Sequence, residues 1–265
     1  MDPVQLSEYL STFITLLFLG VGALFDLKSR EVPDKVWLLF GPIGLALTVF
    51  RTYIERSLFP LTAVSIGASI LIAFGLVFFG LAGGADAKAM ICLGLTLPLP
   101  PTIATTILGF VHPFYPIVIL LTGYVCSFSV AIWILGRNAL SIARGESSMF
   151  RGLENESMWK KALALFTGSP TSIARLKSTY YLYPMEEIVE DNKGTHRSLQ
   201  LYSKVDVNRD QAVSEFLQSL RKVGSPEIVW VTPGLPLLVF IFFSVIITLV
   251  LGDPIFSGMF LLLRR

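Results

Sequence analysis

Residues 57–88 read SLFPLTAVSIGASILIAFGLVFFGLAGGADAK. The first 29 of them contain no Asp, Glu, Lys, Arg or His. About 17–25 apolar residues suffice to carry a helix across the hydrocarbon of a bilayer. The stretch therefore predicts a membrane span from near Leu61 to near Ala82, ending in Gly83-Gly84-Ala85-Asp86-Ala87-Lys88. Working outward, uncharged stretches recur over Tyr9–Phe25, Val36–Phe50, Ala89–Val111, Pro113–Gly136, Ile228–Gly252 and Pro254–Leu263. Val36–Phe50 is short for a span, but Arg51 and Arg56 can extend it by reaching back to the interface. Pro254–Leu263 has only ten residues and predicts an interfacial or re-entrant segment. The sixth span is expected to start near Leu235, after the turn Pro233-Gly234-Leu235-Pro236. The expected fold is an α-helical polytopic membrane protein with about six transmembrane helices.

Composition agrees. Of 265 residues, 53% are hydrophobic and 15% charged, with a mean hydropathy of +0.68. A soluble domain carries about 25% charged residues. Between residues 137 and 229 lie 13 of the 21 Lys and Arg and 11 of the 19 Asp and Glu, so that segment alone is soluble in character. The layout predicts residues 1–136 as a membrane domain of five spans, 137–229 as an insert, and 230–265 as a last span and tail. A net charge of +2 is too small, and too mixed in sign, to imply a nucleic-acid partner, and none is expected. Two cysteines cannot build a disulfide framework or a four-thiolate zinc site. The N-terminus lacks the basic n-region of a cleavable signal. Six spans put the loops at 26–35, 83–88 and 137–229 on one side. Lys28, Arg30, Lys35, Lys88, Arg137 and Arg144 place that side in the cytoplasm. No repeat of fixed period points to an inverted-repeat transporter.

The insert reads as a small α+β module. Ser178–Val189, a turn at Asp191-Asn192-Lys193-Gly194 and the alternation of His196–Val205 predict a hairpin. Asn208 with Gln211 resembles a capping box, and Ala212, Phe216 and Leu220 continue at helical spacing to a C-cap at Gly224. Asp206, Asn208 and Asp210 start like a calcium loop, but Gln211 replaces the required Gly and Leu217 the closing Glu.

Asp26 ends the first span and Asp86 lies between the third and fourth. Two spans separate them, so both lie on one side whichever way the chain is inserted. Peptide hydrolysis needs a base to activate water and an acid to polarise the carbonyl, and two carboxylates sharing a proton supply both. Gly83 and Gly84 allow a sharp turn and the close approach of an extended substrate. The bland readings are an interfacial acid at Asp26 and a helix N-cap at Asp86. Lys88 either tunes Asp86 or anchors a span end. His112 and His196 are too few for a zinc site or a serine triad, and Cys92 and Cys126 sit in apolar stretches as packing residues.

Asp26-Leu27-Lys28-Ser29-Arg30-Glu31-Val32-Pro33-Asp34 resembles the first motif of the type IV prepilin peptidases, an Asp followed seven residues later by Pro. Gly83–Lys88 resembles their second motif, Gly-x-Gly-Asp-x-Lys, with Ala85 in place of the second Gly. The chain lacks the paired-cysteine domain of the bacterial enzymes and is similar to the archaeal branch, which processes preflagellins (archaellins) and pilin-like precursors. Val229–Pro236 also resembles that branch. The resemblance implies an aspartic endopeptidase with Asp26 and Asp86 catalytic and Pro33, Gly83, Gly84 and Lys88 supporting. It implies no metal and no cofactor. The substrate would be a precursor with a short basic leader, cut at the cytoplasmic edge of the cell membrane. Glu31 and Asp34 would attract that leader by charge. Two other classes compete: a transporter or proton-coupled protein using the paired acids, and a non-catalytic scaffold presenting the insert. Such transport acids usually sit mid-span, whereas these lie at span ends.

Overall fold

The structure, a computed structural model, describes residues 2–104, 107–145, 149–191, 194–200, 209–221, 223, 224 and 226–263. It divides into two compact units, residues 1–127 with 236–265, and residues 128–235.

The first helix, α1 (Pro3–Ser29), starts under an Asp2 cap and stops where Arg30 turns left-handed. Pro33 then fixes the entry to α2 (Asp34–Ile54). A 3-10 turn at Arg56–Leu58 leads into α3 (Phe59–Phe78), which carries Pro60 in its first turn, where a missing N–H costs nothing. Gly80, at φ 65°, reverses the chain before α4 (Gly84–Thr96). Next come α5 (Tyr115–Ala143), shared by the two units, and, after the insert, α9 (Leu237–Leu251) and α10 (Pro254–Leu263). Among the described residues four helices are long and apolar enough to cross a membrane: α1, α2, α3 with its leading turn, and α5. The pair α9 and α10, bent by 56° at Gly252 and Asp253, makes a fifth. The chain is a polytopic helical membrane protein.

One expected span differs. The uncharged stretch Ala89–Val111 is helical only to Thr96. Leu97 precedes Pro98, and a residue before proline is driven out of the helical region. Pro100 and Pro101 then keep the chain irregular. The helix α4 is therefore too short to cross alone, although its stretch is apolar enough. The ten-residue tail expected to be interfacial or re-entrant is α10, the bent partner of α9.

Within the first unit, α1 packs on α2, α4 and α9, and α4 also packs on α2 and α3. Leu19, Phe40, Met90, Leu93, Tyr115, Ile119, Leu238 and Val245 form its core. Two glycines let α4 approach its neighbours. A Cβ on Gly44 would stand 1.8 Å from the Thr96 hydroxyl, and one on Gly94 would stand 2.5 Å from Ser69 Cβ. Helices in lipid associate through such small residues, because hydrocarbon leaves little hydrophobic drive between them. Phe13, Leu24, Leu38, Leu71, Phe74 and Phe78 stay exposed, as a lipid-facing surface requires. Far from Asp26 on α1, buried Glu8 pairs with Arg51 of α2 at 2.6 Å and accepts the Thr102 N–H at 3.0 Å and the Thr102 hydroxyl.

The second unit contains α6 (Met158–Thr167), β1 (Ser169–Ser172), α7 (Ile173–Ser178), β2 (Leu182–Pro184), β3 (Glu186–Asp191), β4 (Gly194–Leu199), α8 (Arg209–Leu220) and β5 (Ile228–Pro233). Antiparallel β1-β5-β2 form one sheet, and β3-β4 form the expected hairpin, with Asp191 opposite Gly194. The turn residues Asn192 and Lys193, and the Asp206 and Asn208 signals, lie outside the described residues. Gly224, at φ 91°, follows α8. Leu176, Val213, Phe216, Leu220, Val229 and Val231 pack under the sheet, and Met149, Leu153, Ala164, Met185, Leu199 and Trp230 form a second cluster. Glu186 holds the parts together. It takes a two-point bond from Arg197 at 2.7 and 2.8 Å and accepts the Trp230 N–H at 2.6 Å. Removing one member of a buried pair strands the other charge, at a cost of about 3–5 kcal/mol. Glu186→Ala is expected to lower the melting midpoint of the full chain by about 6–15 °C. A melt shifted by less than 2 °C would show the pair to be dispensable.

Candidate active site

The end of α1 places Asp26 beside the start of α9. Asp26 is 9% exposed, and its Oδ2 accepts the Leu238 N–H at 3.3 Å. Leu238 is the second residue of α9, so that N–H has no partner inside its own helix. The carboxylate thus completes a helix terminus whose dipole favours negative charge. On its other side, Arg30 Nη1 lies 3.7 Å from Asp26 Oδ1.

Asp86 is the third residue of α4. It reaches back so that Oδ2 accepts the Gly83 N–H at 3.1 Å. This is the returning half of a capping box, with glycine at the cap. The N-cap is thus Gly83 and not Asp86, but Asp86 caps the helix start from its third position, and that bond fixes the carboxylate. Burial pushes the Asp86 carboxyl up to about 6, against the pull of the Gly83 N–H; the Asp26 charge adds to the rise and the Arg30 charge opposes it. The two aspartates, 60 positions apart in sequence, thus lie close enough for one charge to act on the other.

The supporting residues fall out differently from one another. Lys88 Nζ binds Asp34 Oδ1 at 2.6 Å, so Lys88 joins the start of α4 to the start of α2 rather than facing Asp86. Asp34 is exposed but engaged by that lysine, while the Glu31 side chain is exposed at the end of the loop. Pro33 caps α2 at φ −57°. Gly83 and Gly84 do not make the sharp turn: Gly83 has φ −76°, and Gly80 takes the left-handed conformation. A Cβ on Gly84 would meet nothing within 4 Å, so the surface beside Asp86 is open there.

Three contributors escaped the sequence reading. Arg30 faces Asp26, although it had counted only as a topogenic charge. The Leu238 donor is a backbone group that no side-chain pattern reveals. Tyr124 of α5 donates its hydroxyl to the Leu81 carbonyl at 3.4 Å and steadies the loop before Asp86. Arg30 did carry a signal, since it lies one turn after Asp26, where a helical arginine reaches back to an acid. Cys92 is buried, with its thiol 3.7 Å from the Trp37 carbonyl, and Cys126 is free and half-buried. Among the described residues no cluster of His, Cys, Asp and Glu is placed to hold a metal ion.

Comparison with known proteins finds matches in both units. The model described as type IV leader peptidase family matches residues 13–135, which contain both aspartates. The model described as archaeal peptidase A24 C-terminus type II matches residues 160–254. A preflagellin peptidase of Methanocaldococcus jannaschii is 26% identical over 247 residues, covering 91% of this chain and 93% of the relative. One of Methanococcus voltae is 25% identical, covering 92% and 96%. One of Methanococcus maripaludis is 24% identical, covering 91% and 95%. Two family models of one peptidase class, matched in sequence order on a helical membrane scaffold, lead to one conclusion: the chain is similar to the type IV leader peptidases and is a membrane peptidase.

Proposed function

We propose that Asp26 and Asp86 are the catalytic pair of this peptidase. The observation that carries the reading is that two carboxylates from different helices lie near enough for the charge of one to act on the other, one beside an arginine and the other half-buried and holding its proton to higher pH. In this reading the pair shares one proton. Asp26, facing Arg30 and the Leu238 N–H, holds the negative charge and removes a proton from the attacking water. Asp86 holds the shared proton and gives it to the scissile carbonyl oxygen as the tetrahedral intermediate forms. Collapse of that intermediate breaks the C–N bond: the proton taken from water passes from Asp26 to the leaving amine, and one hydroxyl of the intermediate returns its proton to Asp86 as the new carboxyl group forms.

The substrate is a preflagellin-like or pilin-like precursor, as the names of the relatives suggest for this chain. The open surface beside Gly84 leaves room for the scissile segment as an extended strand. Exposed Glu31 attracts a basic leader. Asp34 contributes less, because Lys88 already neutralises it. The loops at 26–35 and 83–88 face the cytoplasm, where leaders reside before export; the insert shares that side in this reading, which requires the apolar stretch 89–111 to complete one crossing beyond the end of α4.

The test is a cleavage assay in membranes with a preflagellin and a prepilin. Wild type is expected to shorten at least one precursor by its leader. Asp26→Asn and Asp86→Asn, expressed to the same level, are expected to shorten neither. Cleavage by either variant at the wild-type rate would remove the pair from the chemistry.

A further inference from the structure

The second unit contains a cavity of about 330 Å³ that plays no part in the chemistry above. Its wall includes Trp133, Arg137 and Ser141 from α5, Thr171 and Arg175 from β1 and α7, and Tyr181. No Asp or Glu lines it. Neither arginine side chain forms an ion pair or hydrogen bond with a described residue. The guanidinium of Arg137 lies over the Trp133 ring, 5.3 Å from its centre. Two positive charges bordering one cavity repel each other, and this arrangement is stable only when an anion sits between them or water screens them. The back wall is rigid. Asn138 is 2% exposed and donates both amide hydrogens, to the Leu165 carbonyl at 2.9 Å and the Gly168 carbonyl at 2.7 Å.

The position of the cavity along α5 suggests what anion reaches it. A span of about 20 residues covers the hydrocarbon at 1.5 Å per residue. Counted from Tyr115, that depth ends near Ile134. Trp133 and Arg137 therefore stand at the water boundary, where tryptophan rings anchor and arginines meet anionic lipid. Trp133 is 63% exposed, as a ring at headgroup level would be. A planar guanidinium binds two phosphate oxygens at once, and the Ser141 and Thr171 hydroxyls can donate to the others.

We infer that this cavity binds a phosphate-bearing anion through Arg137 and Arg175, as the headgroup of an anionic phospholipid or as a free phosphate ester. The site is independent of the catalytic assignment and requires only that α5 spans the membrane. Bound lipid would fix the insert at the membrane surface.

The full chain in detergent is titrated with phosphatidylglycerol, with phosphatidylcholine, and separately with glycerol 3-phosphate. Bound lipid is counted by native mass spectrometry, and binding of the soluble ester by thermal shift. Phosphatidylglycerol is expected to bind about tenfold or more tightly than phosphatidylcholine, and each of Arg137→Gln and Arg175→Gln to weaken it by about tenfold. Arg137→Lys, which keeps the charge, is expected to retain most of the binding and shows that the wall tolerates substitution. Binding of glycerol 3-phosphate with equal loss in the Gln variants would support the site and assign it to a soluble ester. Wild-type retention of phosphatidylglycerol by the double Gln variant, or no preference for either anion over phosphatidylcholine, would overturn the inference.

Discussion

Asp86→Asn is expected to slow leader removal by about a thousandfold or more, the loss typical of an essential general acid. The same change is expected to make the protein harder to unfold at neutral pH. Both outcomes follow from one geometry. The folded chain holds the Asp86 carboxyl up near 6, against an ordinary value of 3.8, mainly because burial disfavours its charge. Above about pH 6 the folded protein must carry that charge in a poorly hydrated place, whereas the unfolded chain carries it in water. Between 3.8 and about 6 the unfolded state binds fewer protons, so stability falls as pH rises through that window. An asparagine has no charge to desolvate, yet its side-chain oxygen still accepts the Gly83 N–H. The variant should therefore melt higher than wild type at pH 7.5, by about 2–4 °C for each kcal/mol relieved. The two melting curves should converge near pH 4. A variant that loses activity and also melts lower at pH 7.5 would have been inactivated by misfolding, and the assignment of Asp86 would lose its support.

The rate of wild type carries the same signature. Proton donation by Asp86 requires its protonated form, so cleavage is expected to decline as pH rises through about 6. A rate that stays flat from pH 5 to 8 would place the proton elsewhere.

How much of this is legible in the sequence differs from residue to residue. Asp26 and Asp86 could be placed on one side because span counting is insensitive to exact helix ends. That same insensitivity concealed the end of α4: a charge-free run is visible in composition, but Pro98, Pro100 and Pro101 decide the backbone, and they stop the helix at Thr96. The hairpin β3-β4 was legible from alternation about a turn. The sheet β1-β5-β2 was not. Its strands are three to six residues long, and Ser169–Ser172 has neither alternation nor β-branched enrichment. The central strand, Ile228–Pro233, stood out only as the uncharged lead into the span expected from near Leu235. Lys88 illustrates the limit of motif reasoning. Sequence proximity pointed it towards Asp86, yet a side chain two positions further along a helix faces another way and found Asp34.

Arg30 carries the second large expectation. Among the described residues it is the one non-glycine at positive φ, at 59°. That conformation costs an L-residue about 1–2 kcal/mol, and glycine occupies it freely. Stability alone would favour Gly or Asn at this C-cap. The Nε and Nη1 atoms of Arg30 are buried and make no hydrogen bond, which adds a further cost. An arginine kept in this place against both penalties points to what its charge does. It stands 3.7 Å from Asp26, and its field also reaches Asp86. In the proposed mechanism it keeps the negative charge of the pair on Asp26. Arg30→Gly relieves the backbone strain but strands the Asp26 charge, so it is expected to leave the melting midpoint within a few degrees of wild type while lowering kcat by about a hundredfold, the order lost with a charge-assisted contact made in the transition state. Arg30→Lys should recover part of kcat, because it restores the charge without the planar fork. The pH profile gives an independent reading. Arg30 draws the Asp86 carboxyl downward, so without it Asp86 keeps its proton to higher pH. The decline in rate that wild type shows through about 6 should then move to higher pH in Arg30→Gln and return towards the wild-type position in Arg30→Lys. A structural arginine would lower stability on removal and leave that midpoint in place, so a destabilised Arg30→Gly with an unmoved pH profile would reduce Arg30 to a helix cap.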